Sequence, residues 1–305
     1  MMQTVLSPPA RPPCDPRTPG ASLWCGDDAV LDCDYLEPRD LDEAVAALRT
    51  AGGRARIVAG GQSLLPALRS GMLRADRLVS LRRIAALQDL RVAQGQLCIG
   101  AQLSFSDFLA SVHAARHPLL QQALAKVGNH TVRNRTTFGG SIAWANPMGA
   151  LLLALAMLDA TVRTSARRLT STACVAGVHR NQLADDEIIA GVEIALPPAH
   201  RRFAFHKTTA RRSGGKALSS MAVALDTGPD GHQALRIGVV GLQDRAWVSH
   251  WHACAPHSDP ADAVPALLAA APQGPRFDPL LPSPAYARAS AALVCRRLVQ
   301  ELCHA

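Results

Sequence analysis

Aromatic side chains are scarce in this chain: phenylalanine, tryptophan and tyrosine make up 4% of its 305 residues. Any core must therefore be assembled from alanine, leucine and valine, and the length suffices for one large domain or two smaller ones. Nucleic acid is not an expected partner, because only Phe203 and Phe205 interleave with the one basic cluster. The eight cysteines, Cys14, Cys25, Cys33, Cys98, Cys174, Cys254, Cys295 and Cys303, never form a Cys-x-x-Cys pair. The usual signature of an iron–sulfur cluster or structural zinc is thus missing. Their scatter fits a reduced compartment better than a disulfide scaffold, so the expected localisation is cytoplasmic. His250 and His252 flank Trp251 without further ligand spacing, and no metal is expected there.

Long apolar runs are missing as well. Phe138 to Leu158 carries no charge, but Gly139, Gly140, Asn146, Pro147 and Gly149 interrupt it. Ala150 to Leu158 is what remains, far short of the ~20 residues of a membrane span, and it reads as a buried helix. Pro8, Pro9, Pro12, Pro13, Pro16 and Pro19 mark a proline-rich leader over residues 1–28, expected to be disordered and lacking the apolar stretch of a signal peptide. There is no Gly-x-Ser-x-Gly and no paired carboxylate at a convincing spacing, so no catalytic nucleophile or general base is assigned. The chain is otherwise of ordinary globular balance, with 48% hydrophobic and 18% charged residues. Its net charge of +8 is mostly scattered, except at Arg201, Arg202, Lys207, Arg211, Arg212 and Lys216. That cluster reads either as an exposed strand and loop or as a surface near an anion or an acidic partner.

What the chain does have is a pair of glycine segments. Val58-Ala59-Gly60-Gly61-Gln62-Ser63-Leu64-Leu65-Pro66 is the first, and Val132 to Pro147 the second, with Thr136, Thr137, Gly139, Gly140 and Ser141 at its centre. Glycine gives clearance and unusual torsions, while hydroxyls and free N–H groups supply hydrogen bonds; a backbone approaching a large anion needs both. One Gly-Gly segment reads as a tight turn. Two, each followed closely by serine and ending in proline, suggest two loops closing on one ligand. Neither is a Gly-x-Gly-x-x-Gly fingerprint or a P-loop, since no Lys-Ser/Thr follows the glycines.

The pattern predicts a helix capped by Asp40 through about Thr50, ended by Gly52-Gly53, then a strand over Ala55–Ala59 and another over Leu78–Leu81. Further strands are expected over Leu97–Ala101, around Val162 and over Ile188–Leu196. Ser106 is the expected cap of a helix to about Val112, and Pro118 the start of another to about Val127. A helix should run from about Met148 to Leu158. Beyond Pro197-Pro198, strands are expected over Phe203–Thr209, Met221–Asp226 and Leu235–Leu242, followed by a helix over Ala285–Leu302. Periodicity alone licenses an α+β fold in two parts.

The two glycine segments, in this order and with these residues, resemble the medium, FAD-binding subunit of the molybdenum hydroxylases, the family of xanthine dehydrogenase and carbon monoxide dehydrogenase. Weaker resemblance runs through Leu158-Asp159-Ala160, Arg211-Arg212-Ser213-Gly214 and Tyr286 to Leu298. It implies an α+β chain: a two-subdomain FAD-binding fold of the vanillyl-alcohol-oxidase (PCMH) type, plus a C-terminal antiparallel sheet with helices. The implied division is 29–199 (subdomains about 29–88 and 89–199) and 200–305. It implies FAD, with Val58, Ala59, Gly60, Gly61, Gln62, Ser63 and Leu64 around the pyrophosphate. Thr137, Gly139, Gly140, Ser141 and Asn146 would approach from the second segment. It also implies two partners, a large molybdenum-cofactor subunit and a small subunit with two iron–sulfur clusters of the 2Fe–2S type. Electrons would pass from those clusters through FAD to an external acceptor.

Several positions depart from the family pattern. Thr136 replaces a usual glycine, Asn146 and Ala150 replace acids, and Gly215 replaces an aspartate. The acid usual at the Ala150 position reaches the ribose or adenine part of FAD in the family. The backbone cradle is present while side-chain anchors are missing. This leaves a second reading open, a flavin-poor scaffold or assembly subunit without a redox role.

Overall fold

The computed structural model describes residues 33–210, 217–255, 258–272, 274 and 283–304. The leader over residues 1–28 and the Arg211–Gly215 stretch lie outside the described residues.

The first unit is a parallel three-stranded sheet. Its elements are β1 (Asp34–Leu36), α1 (Leu41–Ala51), β2 (Ala55–Val58), α2 (Leu64–Arg69) and β3 (Arg77–Ser80), with strand order β1-β3-β2. Asp40 caps α1 as expected: its Oδ1 accepts from the Glu43 N–H at 2.8 Å, and Gly52 ends the helix in the left-handed region at φ 55°. Ala44, Leu48 and Ala51 form the buried face and meet Ala55, Val79, Leu81, Ile84 and Leu87. Strand β1 had no sequence signal of its own, being three residues long with an exposed pattern.

The second unit is built on an antiparallel sheet in the order β4-β5-β10-β6-β7. It comprises β4 (Leu90–Ala93), β5 (Gln96–Gly100), α3 (Phe105–Ala110), α4 (Pro118–Ala125), α5 (His130–Arg135), α6 (Phe138–Trp144) and α7 (Ala150–Met157). It continues through β6 (Thr161–Thr164), β7 (Arg168–Thr170), α8 (Ser171–Cys174), β8 (Val175–Gly177), β9 (Arg180–Asn181) and β10 (Ile189–Ala195). Two expectations need correction. Ser104, not Ser106, caps α3, its hydroxyl accepting from the Asp107 N–H at 3.0 Å; Asp107 in the first turn favours that start. The second glycine segment is not a loop: it folds into α5 and α6, joined at Thr136 and Thr137.

The third unit holds β11 (Arg201–Thr209), β12 (Ala217–Thr227), β13 (Gln233–Val240), β14 (Trp247–Val248), β15 (His252–Ala253), α9 (Val264–Ala269) and α10 (Pro284–His304). Its sheet is antiparallel, in the order β11-β12-β13-β14, with β15 also on β13. Helix α10 turns a stripe of Ala287, Ala291, Cys295, Leu298, Val299 and Leu302 inward, against β11 and β12. Burial pushes the Cys295 thiol up to about 12 and the Cys174 thiol up to about 11, so both behave as small hydrophobes.

Helix α7 joins the second and third units. All eight of its residues are buried, and it packs against α4, β12 and β13. Gly238 on β13 makes room for it, because a Cβ there would lie 2.7 Å from Met157 Sδ and 2.9 Å from Leu153 Cδ1. Among the described residues no helix is long and apolar enough to cross a membrane.

Glu187 ties the approach to β10 onto the β6–β7 turn. Its carboxylate accepts from Thr164 Oγ1 (2.7 Å), Arg167 Nε (3.0 Å), Arg167 Nη2 (3.1 Å) and the Ala184 N–H (3.1 Å). Burial by itself raises the carboxyl pKa, but the hydrogen bonds from Arg167, Thr164 and Ala184 outweigh it and hold the group below its usual value. Arg167 is half exposed and rehydrates when unpaired, which discounts the Coulombic share. Glu187→Ala should therefore cost about 2 kcal/mol at neutral pH, mainly from the orphaned donors, measured by urea unfolding. A depressed folded-state pKa stabilises above the unfolded value of ~4.3 and stops doing so as pH falls through the folded value. The gap between variant and wild type should accordingly narrow, by the charge-linked share alone, on acidification below about pH 4.

Candidate functional site

A cleft of about 700 Å³ opens where the first two units meet, with Lys207 and Ala217 of the third at its border. Strand β2 is an edge strand and delivers the first glycine segment into it. The last ladder bond runs from the Leu81 N–H to the Val58 carbonyl at 3.1 Å. Beyond it the N–H groups of Ala59, Gly60, Gly61, Gln62, Ser63 and Leu64 meet no protein acceptor among the described residues. All of these residues line the cleft. Gly61 takes the left-handed conformation, φ 74°, that bends the run back on itself. The Ser63 hydroxyl does not cap α2 and is left for the cleft as well. Pro66, expected to end a loop, stands in the first turn of α2, where a missing N–H costs nothing. Consecutive unpartnered N–H groups in a concave wall form an anion nest. Val58 itself does not line the cleft.

The second segment contributes differently from expectation. Its N–H groups are occupied within the protein: Phe138 donates to the Leu103 carbonyl (3.2 Å), Gly139 to Ala101 (2.8 Å), Gly140 to Thr137 Oγ1 (3.2 Å) and Ser141 to the Thr137 carbonyl (3.0 Å). Its glycines serve packing between segments. A Cβ on Gly139 would lie 2.6 Å from Ala101 Cβ, one on Gly140 would lie 3.2 Å from Ala59 Cβ, and one on Gly60 would lie 1.6 Å from the Arg135 carbonyl oxygen. The two segments do come together, but backbone against backbone. Thr137, Gly139, Gly140 and Ser141 all line the cleft; the Thr137 hydroxyl is engaged as the α6 cap, whereas the Ser141 side chain has no hydrogen bond among the described residues. Asn146 also lines it and accepts from the Met148 N–H at 2.9 Å through Oδ1. Arg133 braces the preceding turn through the carbonyls of Val127 (3.0 Å) and Gly128 (3.1 Å).

Other lining residues had no motif to announce them, among them Gln102, Trp144, Asn181, Asp185 and Lys207. Asn181 Nδ2 donates to the Ala143 carbonyl at 2.7 Å, and the Trp144 ring sits 5.0 Å from that of His179. The β8–β9 hairpin thereby clamps the end of α6. The basic cluster divides. Lys207 Nζ donates to the Lys126 carbonyl at 3.0 Å beside the cleft, and burial lowers its pKa. Arg201 instead pairs with Asp226 at 2.7 Å and stacks 4.5 Å over Trp251. Ala150 and Asn146 leave their stretch of wall without a carboxylate; Glu187, also in the lining, is committed to Arg167.

Because the Gly60 clash is with protein, Gly60→Ala should cost more than the ~1–3 kcal/mol of ordinary overpacking and lose ligand uptake at the same time. Ser63→Ala should leave stability within about 0.5 kcal/mol while weakening ligand binding. Thermal unfolding and a binding titration on the same preparations would check both.

Comparison with known proteins agrees with this geometry. The family described as the FAD binding domain in molybdopterin dehydrogenase matches residues 31–197. The carbon monoxide dehydrogenase medium chain of Hydrogenophaga pseudoflava is 28% identical over 218 residues, covering 70% of this chain and 76% of that one. The caffeine dehydrogenase subunit beta of a Pseudomonas species is 30% identical over 198 residues, 63% of this chain and 67% of the relative. Among solved structures, a chain of quinoline 2-oxidoreductase from Pseudomonas putida 86 superposes with TM-score 0.76 at 28% identity, covering 88% of this chain and 96% of that one. A chain of a Cu,Mo-CO dehydrogenase gives TM-score 0.79 at 24% identity over the same shares and speaks for the fold. With the glycine nest, the sheet order and the family match in agreement, this chain belongs to the FAD-binding medium subunits of the molybdenum hydroxylases.

Proposed function

We propose that this chain is the flavin-carrying element of a three-polypeptide molybdenum hydroxylase, placed between a small iron–sulfur subunit and an external acceptor. The observation that carries this reading is the row of unpartnered N–H groups from Ala59 to Leu64 in the wall of the cleft. A pyrophosphate has negatively charged oxygens for such donors, and the nest needs no rearrangement to offer them. Ala59, Gly60, Gly61, Gln62, Ser63 and Leu64 would hold it, with Gly140, Ser141 and Asn146 on the facing wall. Lys207 adds positive charge at the border of the cleft. Bound there, FAD would supply the redox chemistry, taking electrons from the clusters of the partner and delivering them outward. The protein's own part is to bind, orient and shield it. Oxidation of the organic substrate belongs to the large molybdenum-cofactor subunit, and the complex is assigned to the cytoplasm. The proposed organisation is an FAD-binding domain over 29–199, in subdomains about 29–88 and 89–199, and a C-terminal domain over 200–305.

A flavin-poor scaffold is the second reading, favoured by Asn146 and Ala150 where the family commonly carries acids. The absorption spectrum of the purified complex separates the two, since a flavin band near one equivalent per chain belongs only to the first. The chain alone, loaded with FAD, is expected to oxidise no aldehyde, purine or pyridine compound. Turnover of any of these by the isolated chain, followed by acceptor reduction, would overturn the assignment of roles.

A further inference from the structure

The lost acids raise the question of which side chain anchors the ligand instead, and the interior of the cleft offers a candidate. Gln102 follows β5 in a stretch where burial alternates: Ala101 and Leu103 are buried, and their carbonyls accept from Gly139 and Phe138. The Gln102 side chain therefore leaves on the other face and lines the cleft. Its backbone N–H is satisfied, donating to the Leu87 carbonyl at 2.7 Å. Its carboxamide is not. Nε2 is closed off from solvent and has no hydrogen-bond partner. Oε1 makes no hydrogen bond with any described residue either. Among the described residues, no other buried and unpartnered side-chain nitrogen or oxygen belongs to a residue of the cleft wall.

Leaving a buried amide without partners is costly, and a leucine there would fill a similar space without that cost. The amide makes sense if something else completes it. A half-turn of the terminal torsion, which is broad and low in barrier, exchanges Nε2 and Oε1 and aims two donors at the cleft. Packing contacts link Gln102 to the nest: Ala59 lies against Gly140, and Gly139 against Ala101. The nest and the backbone that carries Gln102 thus flank the same first turn of α6, and residues of all three line the cleft.

We propose that Gln102 is a ligand-anchoring residue, its carboxamide donating to an acceptor oxygen of bound FAD, an anchor of a different kind from the acids this chain lacks. This rests on the cleft being the FAD site. The experiment is a fluorescence titration of the full-length apo-protein with FAD, alongside thermal unfolding of the same apo-protein, for wild type, Gln102→Leu and Gln102→Glu. Gln102→Leu should bind FAD roughly tenfold or more weakly, while its apo form melts at the same or a higher temperature. That opposition marks a group kept for the ligand rather than for the fold. Gln102→Glu should bind weakly at neutral pH, where it offers only a charged acceptor, and recover affinity as the pH falls and its carboxyl gains an O–H donor. A purely structural glutamine would show no such recovery. If Gln102→Leu binds FAD as tightly as wild type, or melts lower and loses flavin only for that reason with no pH-dependent recovery in Gln102→Glu, the proposal is wrong. If wild type itself takes up no FAD, the FAD reading of the cleft fails, and this proposal with it.

Discussion

The tightest glycine contact among the described residues is the approach of Gly60 to the Arg135 carbonyl oxygen, which leaves no room for even a Cβ. A parallel βαβ-like unit and an antiparallel sheet with helices meet there, and the width of the cleft follows from how near the two backbones come. Gly140 against Ala59 and Gly139 against Ala101 extend the contact along the first turn of α6. Three glycines thus act as spacers of zero thickness between protein segments. The open donors accompany the same arrangement: with Gly60 pinned and Gly61 in the left-handed region, the N–H groups from Ala59 to Leu64 meet no protein acceptor among the described residues.

The division of labour between the two segments follows from where each stands in the fold. The first leaves an edge strand, so its donors have no neighbouring strand to satisfy them. The second opens a helix whose cap is internal, with Thr137 on Gly140, and whose preceding N–H groups bond to Ala101 and Leu103. A polar backbone in a protein is paired unless something external is meant to pair it. By that criterion the first segment offers open donors, whereas the N–H groups that start α6 are already spent on the protein.

Much of the fold was legible in the chain because the signals were strong and local. Asp40 with Glu43, Gly52 after Ala51, and the apolar strands Phe203–Thr209 and Leu235–Leu242 each point one way, and those elements lie within two residues of where the pattern puts them, whereas β12 starts four residues before the expected Met221. The errors have separate causes. Phe138-Gly139-Gly140-Ser141 reads as a loop because glycine costs about 1 kcal/mol against alanine inside a helix, but here contacts with Ala59 and Ala101 outweigh propensity. Ser104 and Ser106 both suit a cap by residue type, and only Ser104 has an acid, Asp107, three residues on. The short strands β1, β4, β14 and β15 carry too few residues for a period to show, and each exists through its pairing partner. In the cleft, glycine segments announce themselves in any sequence, whereas Gln102 looks like one polar residue among many until its neighbours Ala101 and Leu103 are seen turned the other way.

Helix α7 carries a consequence for how this protein comes into being. It has no polar face, so it cannot rest against solvent on any side, and two strands that cover it, β12 and β13, are made long after it. A helix this short is not stable alone. During synthesis, the cleft-bearing half must therefore wait with an apolar cylinder incompletely covered until the chain has emerged through Val240, the end of β13. The segment from Ala59 to Leu64 precedes α7 in the chain, and β12 and β13 follow it. The interval is one in which a chaperone has an apolar surface to hold.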